Sequence, residues 1–148
     1  MADIAILVGT DSGNAQMVAD TLDDELSKYH DVTVHEEPDF ADLDLANRDI
    51  ILICCSTHGN GEMPDTIFPF YEALNASEID LSHIRYGVIA LGDQTYKRTF
   101  CQAGRDMDGS FIGRGAQRVS ERLEIDACTQ PLPDEDALDW VKGFMSEL

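Results

Sequence analysis

Three stretches of this chain leave no position for water. Ile4-Ala5-Ile6-Leu7-Val8, Ile50-Ile51-Leu52-Ile53-Cys54-Cys55 and Tyr86-Gly87-Val88-Ile89-Ala90-Leu91 are continuous apolar runs. Successive residues of a strand face opposite sides, so a run that is apolar throughout must be covered on both faces. That is the condition of a parallel sheet lying between two helical layers. The segments between the runs supply the helices. Ala15, Val18, Ala19, Leu22, Leu26 and Tyr29 follow an amphipathic stripe, with Asp20, Asp23 and Asp24 on the wet side. Ile67, Phe70, Tyr71 and Leu74 form a second stripe, with Pro69 in the first turn, where its missing N–H costs little. Phe100, Ala103, Met107 and Phe111 support a third helix, which Gly104, Gly109 and Gly113 weaken. Leu138, Val141, Met145 and Leu148 set the inner face of a last helix, over about 136–148. Shorter strands are expected at 32–35 and 118–125, with an acidic connection at 36–45.

Five strands alternating with helices predict an α/β fold, a doubly wound five-stranded parallel sheet. Right-handed crossovers give the order 2-1-3-4-5 or a close relative. The 148 residues suit one domain with one core, spanning 1–148. Ligands of such sheets bind beyond the carboxyl ends of the strands, where the winding reverses. The loops after strands one, three and four meet there.

The first loop is Gly9-Thr10-Asp11-Ser12-Gly13-Asn14-Ala15. Leading from a buried strand into a helix, its N–H groups can converge on an anion at the helix N-terminus. Thr10 and Ser12 add hydroxyl donors, and Gly13 permits close backbone approach. No Lys or Arg precedes Lys28, so an anion here is held by neutral donors, and the G-x-x-x-x-G-K-[ST] loop of nucleoside triphosphatases is absent. The alternative is that Ser12 or Asn14 simply caps the helix. The second loop, Ser56-Thr57-His58-Gly59-Asn60-Gly61-Glu62-Met63-Pro64, carries two glycines but lacks the dinucleotide G-x-G-x-x-G. His58 there is either a ligand contact or a solvated side chain. The third loop, Gly92-Asp93-Gln94-Thr95-Tyr96, offers a ring that either stacks on a ligand or covers the sheet edge. A phosphate cradle, a glycine hinge and a stacking ring around one cleft fit a planar phosphorylated ligand.

Ten basic residues against twenty-nine acidic ones leave a net charge of −19. Such a surface repels nucleic acid and anionic lipid and favours basic protein partners. No apolar stretch approaches the roughly 20 residues of a membrane span, and no basic leader precedes the first apolar run. Cys54, Cys55, Cys101 and Cys128 form no C-x-x-C pair and read as reduced core thiols of a cytoplasmic protein. His30, His35, His58 and His83 lie far apart without ligand spacing, so no metal site is expected. A signalling receiver domain would need an Asp where Ser56 ends strand three and a Lys after strand five, which is missing.

These loops and their order resemble those of a flavodoxin. Gly9-Thr10-Asp11-Ser12-Gly13-Asn14 is similar to the family's phosphate loop for flavin mononucleotide (FMN), and Ser56-Thr57-His58-Gly59 to the loop that contacts the isoalloxazine. Ile67-Phe68-Pro69-Phe70-Tyr71-Glu72-Ala73-Leu74 resembles the following helix, and Leu91-Gly92-Asp93-Gln94-Thr95-Tyr96 with Phe100-Cys101 the third loop and its exit. With no insertion in the fifth strand, the resemblance is to the short-chain type, the bacterial MioC and YqcA kind above all. It implies FMN contacts from Thr10, Asp11, Ser12, Gly13, Asn14 and Ala15. It implies more from Ser56, Thr57, His58, Gly59, Asn60 and Gly61, and a third set from Leu91, Gly92, Asp93, Tyr96, Phe100 and Cys101. Asp126 is a further candidate carboxylate. His58 stands where many relatives carry Trp or Tyr, and Ala15 where many classical members carry a hydroxyl. The function implied is that of a monomeric electron carrier, not an enzyme, working between a basic-surfaced flavodoxin reductase and acceptor enzymes. The alternatives are an FMN-dependent reductase oxidising NAD(P)H, or a non-flavin interaction or assembly protein on the same fold.

Overall fold

Each uninterrupted apolar run forms a strand with both faces buried. The computed structural model describes residues 3–10, 13–57, 62–92, 101–126 and 132–148. Along the chain come β1 (Asp3–Gly9), α1 (Asn14–Leu26), β2 (Asp31–His35), α2 (Phe40–Leu43), a 3-10 turn (Leu45–Asn47), β3 (Ile50–Ser56) and α3 (Phe68–Ala76). Then follow β4 (Arg85–Gly92), α4 (Gln102–Ile112), β5 (Gln117–Arg118), β6 (Leu123–Asp126) and α5 (Pro133–Ser146). The strands are parallel in the order β2-β1-β3-β4-β5, and β6 also pairs with β4.

Strand alternation divides the core in two. Leu7, Ile53, Cys55 and Val88 face α3 and α4, whereas Ile6, Leu52, Cys54 and Ile89 face α1 and α5. Cys54 and Cys55 therefore lie on opposite faces, and burial pushes the Cys54 thiol up to about 12. The α1 stripe is buried as expected from Ala15 to Leu26, but Tyr29 lies past the helix end and is 68% exposed. The last helix is rotated from its expected face. Ala137, Val141 and Phe144 are buried, while Leu138, Met145 and Leu148 pack at the margin. The acidic connection holds α2, whose N-cap Asp39 accepts a hydrogen bond from Asp42 N at 3.0 Å.

The expected fifth strand is divided. Between the two pairings, β4 takes three steps from Tyr86 to Ile89 while the outer chain takes five from Arg118 to Leu123. Trp140 of α5 packs over β4 beside this bulge. A Cβ at Gly87 would lie 2.5 Å from Trp140 Cη2, so the indole occupies the space that a side chain would fill. Its Nε1–H donates to the Glu121 carbonyl at 2.9 Å, satisfying an acceptor that the bulge takes out of the ladder. Among the described residues no helix is long and apolar enough to cross a membrane.

Candidate cofactor site

Register places four strand ends side by side. Gly9 pairs with Cys55, Ser56 with Leu91, and Gly92 with Asp126, so the loops after β1, β3, β4 and β6 leave from one edge. Thr57 fastens two of these elements. Its N–H donates to Leu91 O at 3.0 Å, and its Oγ1 accepts from Ala103 N at 3.0 Å in the first turn of α4.

Among the described residues no side chain caps the α1 entrance. Gly13 is the N-cap at φ 90° and ψ −6°, a left-handed conformation that glycine adopts without a Cβ penalty. It brings no side chain to accept from the first helical N–H groups, which have no carbonyl of their own helix to bond. The capping alternative therefore does not hold for Asn14, which lies inside the helix. Gly13 N donates to Thr10 Oγ1 at 2.8 Å, and Thr10 N to Thr66 Oγ1 at 3.1 Å. A hydroxyl whose oxygen already accepts an N–H keeps its proton to donate. At the end of β3, paired with Leu91 of β4, Ser56 Oγ is buried and has no hydrogen-bond partner among the described residues. A cavity of about 410 Å³ opens beside the loop, lined by Thr10, Gln16, Glu36, Glu37 and Thr66. Thr10, Thr66 and Gln16 bring neutral donors to it, Glu36 and Glu37 line its outer side with carboxylates, and no cation lines it among the described residues, so a phosphate ester here would be held by hydrogen bonds at the loop and not by ion pairs.

Of the residues singled out in the sequence, Thr10, Gly13, Asn14, Ser56, Thr57, Gly92 and Asp126 lie along this edge, and Asp126 is buried. Ala15, Leu91 and Cys101 are there too, but their side chains are buried in the two cores, leaving their backbones for the site. Cys101 Sγ donates to Ala90 O at 3.5 Å, and burial, reinforced by the charge of Glu124, pushes its thiol up to about 12. Asp11, Ser12, His58, Gly59, Asn60, Gly61, Asp93, Tyr96 and Phe100 lie outside the described residues. Sequence reasoning missed Thr66. Following Pro64-Asp65 just before a helix, it reads as an ordinary turn residue, and nothing in its spacing points to Thr10.

The fold and this edge define a doubly wound α/β protein, a class whose ligands bind at the switch point. The flavodoxin family model matches residues 6–140. Flavodoxin YqcA of Escherichia coli K12 is 38% identical over 97% of this chain and 97% of its own length. Protein MioC of the same strain is 35% identical over 100% and 99%. Among solved structures, a cysteine-to-serine mutant of a flavodoxin from Pseudomonas aeruginosa has a TM-score of 0.91 at 30% identity, covering 99% of this chain and 98% of that one. The chain belongs to the flavodoxin family. Its cofactor is FMN, and its role is flavin-based electron transfer.

The residues present fit that group. Among the described residues, the uncapped first N–H groups of α1, the protons of the Thr10 and Thr66 hydroxyls and the buried Ser56 Oγ supply neutral donors for a phosphate monoester. Gly13→Ala isolates the backbone contribution, because a Cβ there meets no atom of the described residues within 4 Å. The expected cost is about 1–2 kcal/mol of left-handed strain. Urea unfolding should show that loss, and calorimetry a weaker FMN uptake, since the strain is relieved by turning the very N–H groups that open α1.

Proposed function

We propose that this chain carries single electrons on non-covalently bound FMN between a reductase and acceptor enzymes, with no substrate turnover of its own. The observation that carries the reading is a loop edge with hydroxyl and backbone donors and no cation among the described residues, where Gly13 caps α1 in a left-handed conformation and Ser56 Oγ at the end of β3 is buried with no described partner. Bound there, FMN supplies the redox chemistry, and the protein sets how readily the ring accepts charge. Thr10, Ser56 and the first N–H groups of α1 bind and orient the phosphate end without neutralising it by a cation. The phosphate thus keeps its negative charge, and the whole chain adds a net −19. Both disfavour further negative charge on the ring, so the oxidised form is bound more tightly than the fully reduced one and the potential is lowered by linkage.

The same charge selects the partners. Basic-surfaced redox proteins are drawn to an acidic carrier, and their on-rates fall as salt rises. The protein acts as a cytoplasmic monomer in this reading. The deciding experiment is titration of the apoprotein with FMN, followed by redox titration and steady-state assay with NADPH. Uptake of one FMN, stepwise reduction and negligible NADPH consumption are the expected results. Rapid NADPH oxidation by the pure protein would make it a reductase, and absence of FMN uptake would leave an interaction or assembly role. Electron-transfer rates that ignore salt would remove the electrostatic steering.

A further inference from the structure

The exit of the second loop is pressed onto the start of the first. A Cβ at Gly9 would lie 2.4 Å from Ile67 Cγ2 and 3.0 Å from Ile67 Cβ, so β1 ends in direct contact with the residue that caps α3. The segment is held in a tight turn, with Ile67 N and Phe68 N donating to Pro64 O at 3.1 and 3.0 Å. That seating brings Thr66 over the first residue of the phosphate loop, and its Oγ1 accepts the Thr10 N–H at 3.1 Å across 56 residues of sequence. Thr10 in turn accepts the Gly13 N–H at 2.8 Å. The two bonds run in series from Thr66 to the left-handed α1 cap.

We infer that Thr66 is a positioning residue for the cofactor phosphate, fixing the phosphate loop through Thr10 and tying it to the chain that leaves the flavin loop. The inference rests on the reading that this loop grips the FMN phosphate. With the Thr66 hydroxyl in place, the Thr10 N–H turns away from the anion. The Thr10 hydroxyl then presents its lone pair to Gly13 and its proton to the ligand. Without it, the Thr10 N–H loses a part-buried acceptor, and the peptide is free to rotate and disturb that order. The effect is confined to the phosphate end, since nothing in the series of bonds reaches the strand-β4 side of the site.

Thr66→Val keeps the shape and removes the acceptor, while Thr66→Ser keeps the acceptor. Calorimetric titration of each apoprotein with FMN and with riboflavin, which lacks the phosphate, separates the outcomes. The expected result is an FMN Kd raised about 5- to 10-fold in Thr66→Val, as for the loss of one hydrogen bond. Riboflavin binding stays unchanged, and Thr66→Ser restores the wild-type values. Hydrogen exchange should show faster exchange of the Thr10 amide in the valine variant, a readout that needs no flavin. An unaltered FMN Kd, an equal weakening of both flavins, or an unchanged Thr10 amide overturns the positioning role. A wild-type protein that takes up no FMN overturns the functional reading with it.

Discussion

Gly104→Val is expected to lower the stability of the fold by about 3 kcal/mol, the upper end of the usual cost of overpacking a core. The residue sits where α4 rests on β4. A Cβ built on it lies 2.3 Å from Ala90 Cβ, 3.1 Å from Ala90 Cα and 3.7 Å from Val88 Cγ1. One of those neighbours is backbone, so no rotamer change makes room and the helix must lift. Lifting is opposed at its first turn by the bond from Ala103 N to Thr57 Oγ1, and beside it by the Cys101 thiol on Ala90 O. The variant should therefore melt about 10 °C lower, at roughly 2–4 °C per kcal/mol for a chain of this size. Its FMN affinity should fall as well, because Thr57 lies on the cofactor edge. An unchanged melting temperature would mean that α4 glides over β4 without resistance.

Asp108→Leu should cost about 3 kcal/mol, through loss of hydrogen-bonded charge rather than loss of space. Asp108 is 2% exposed, and its carboxylate joins three elements. Oδ1 accepts the Tyr86 hydroxyl of β4, while Oδ2 accepts Arg118 Nη1 of β5 at 2.9 Å and Arg122 Nη1 of the bulge at 2.6 Å. Burial and the carboxylate together push the Tyr86 hydroxyl up, so it stays a donor at any physiological pH. Arg122 also bonds Glu124 at 3.0 Å, and Arg105 reaches the same carboxyl at 2.9 Å, which holds Glu124 below the usual carboxylate range. Leucine would leave two guanidiniums and a phenol around an apolar group. Both cations are partly solvated, which keeps the cost at the low end of the range for a broken buried pair. Urea unfolding is the measurement. Asp108→Asn, which retains an acceptor oxygen, should lose about half as much, and equal losses in the two variants would show that charge is irrelevant there.

Much of the architecture was legible because it follows from hydrophobic periodicity. Ile4 to Val8 and Ile50 to Cys55 demanded cover on both faces, and the strand order followed from right-handed crossovers. The departures have identifiable causes. Gly104 reads as a helix defect in one dimension, and only contact with Ala90 shows it as a fitting surface. Asp108 falls between Met107 and Phe111 on a stripe that hydropathy would assign to the core margin, and its partners lie at positions 86, 118 and 122. Tyr29 continued the α1 pattern on paper, although the helix ends at Leu26. At the site, Thr10 and Gly13 were readable from loop chemistry. Thr66 was not, because hydrogen bonds between distant loops leave no periodic trace.

The interruption between β5 and β6 reaches beyond the topology of the sheet. An outer strand of continuous free amides and carbonyls is a template on which a neighbouring molecule can add its own strand. Here the row of unpaired groups breaks after two residues, bends around an indole and resumes for four. On this flank the folded protein offers no unbroken seam for growth into ribbons, which leaves the five residues of β2 as the sheet's one continuous edge among the described residues.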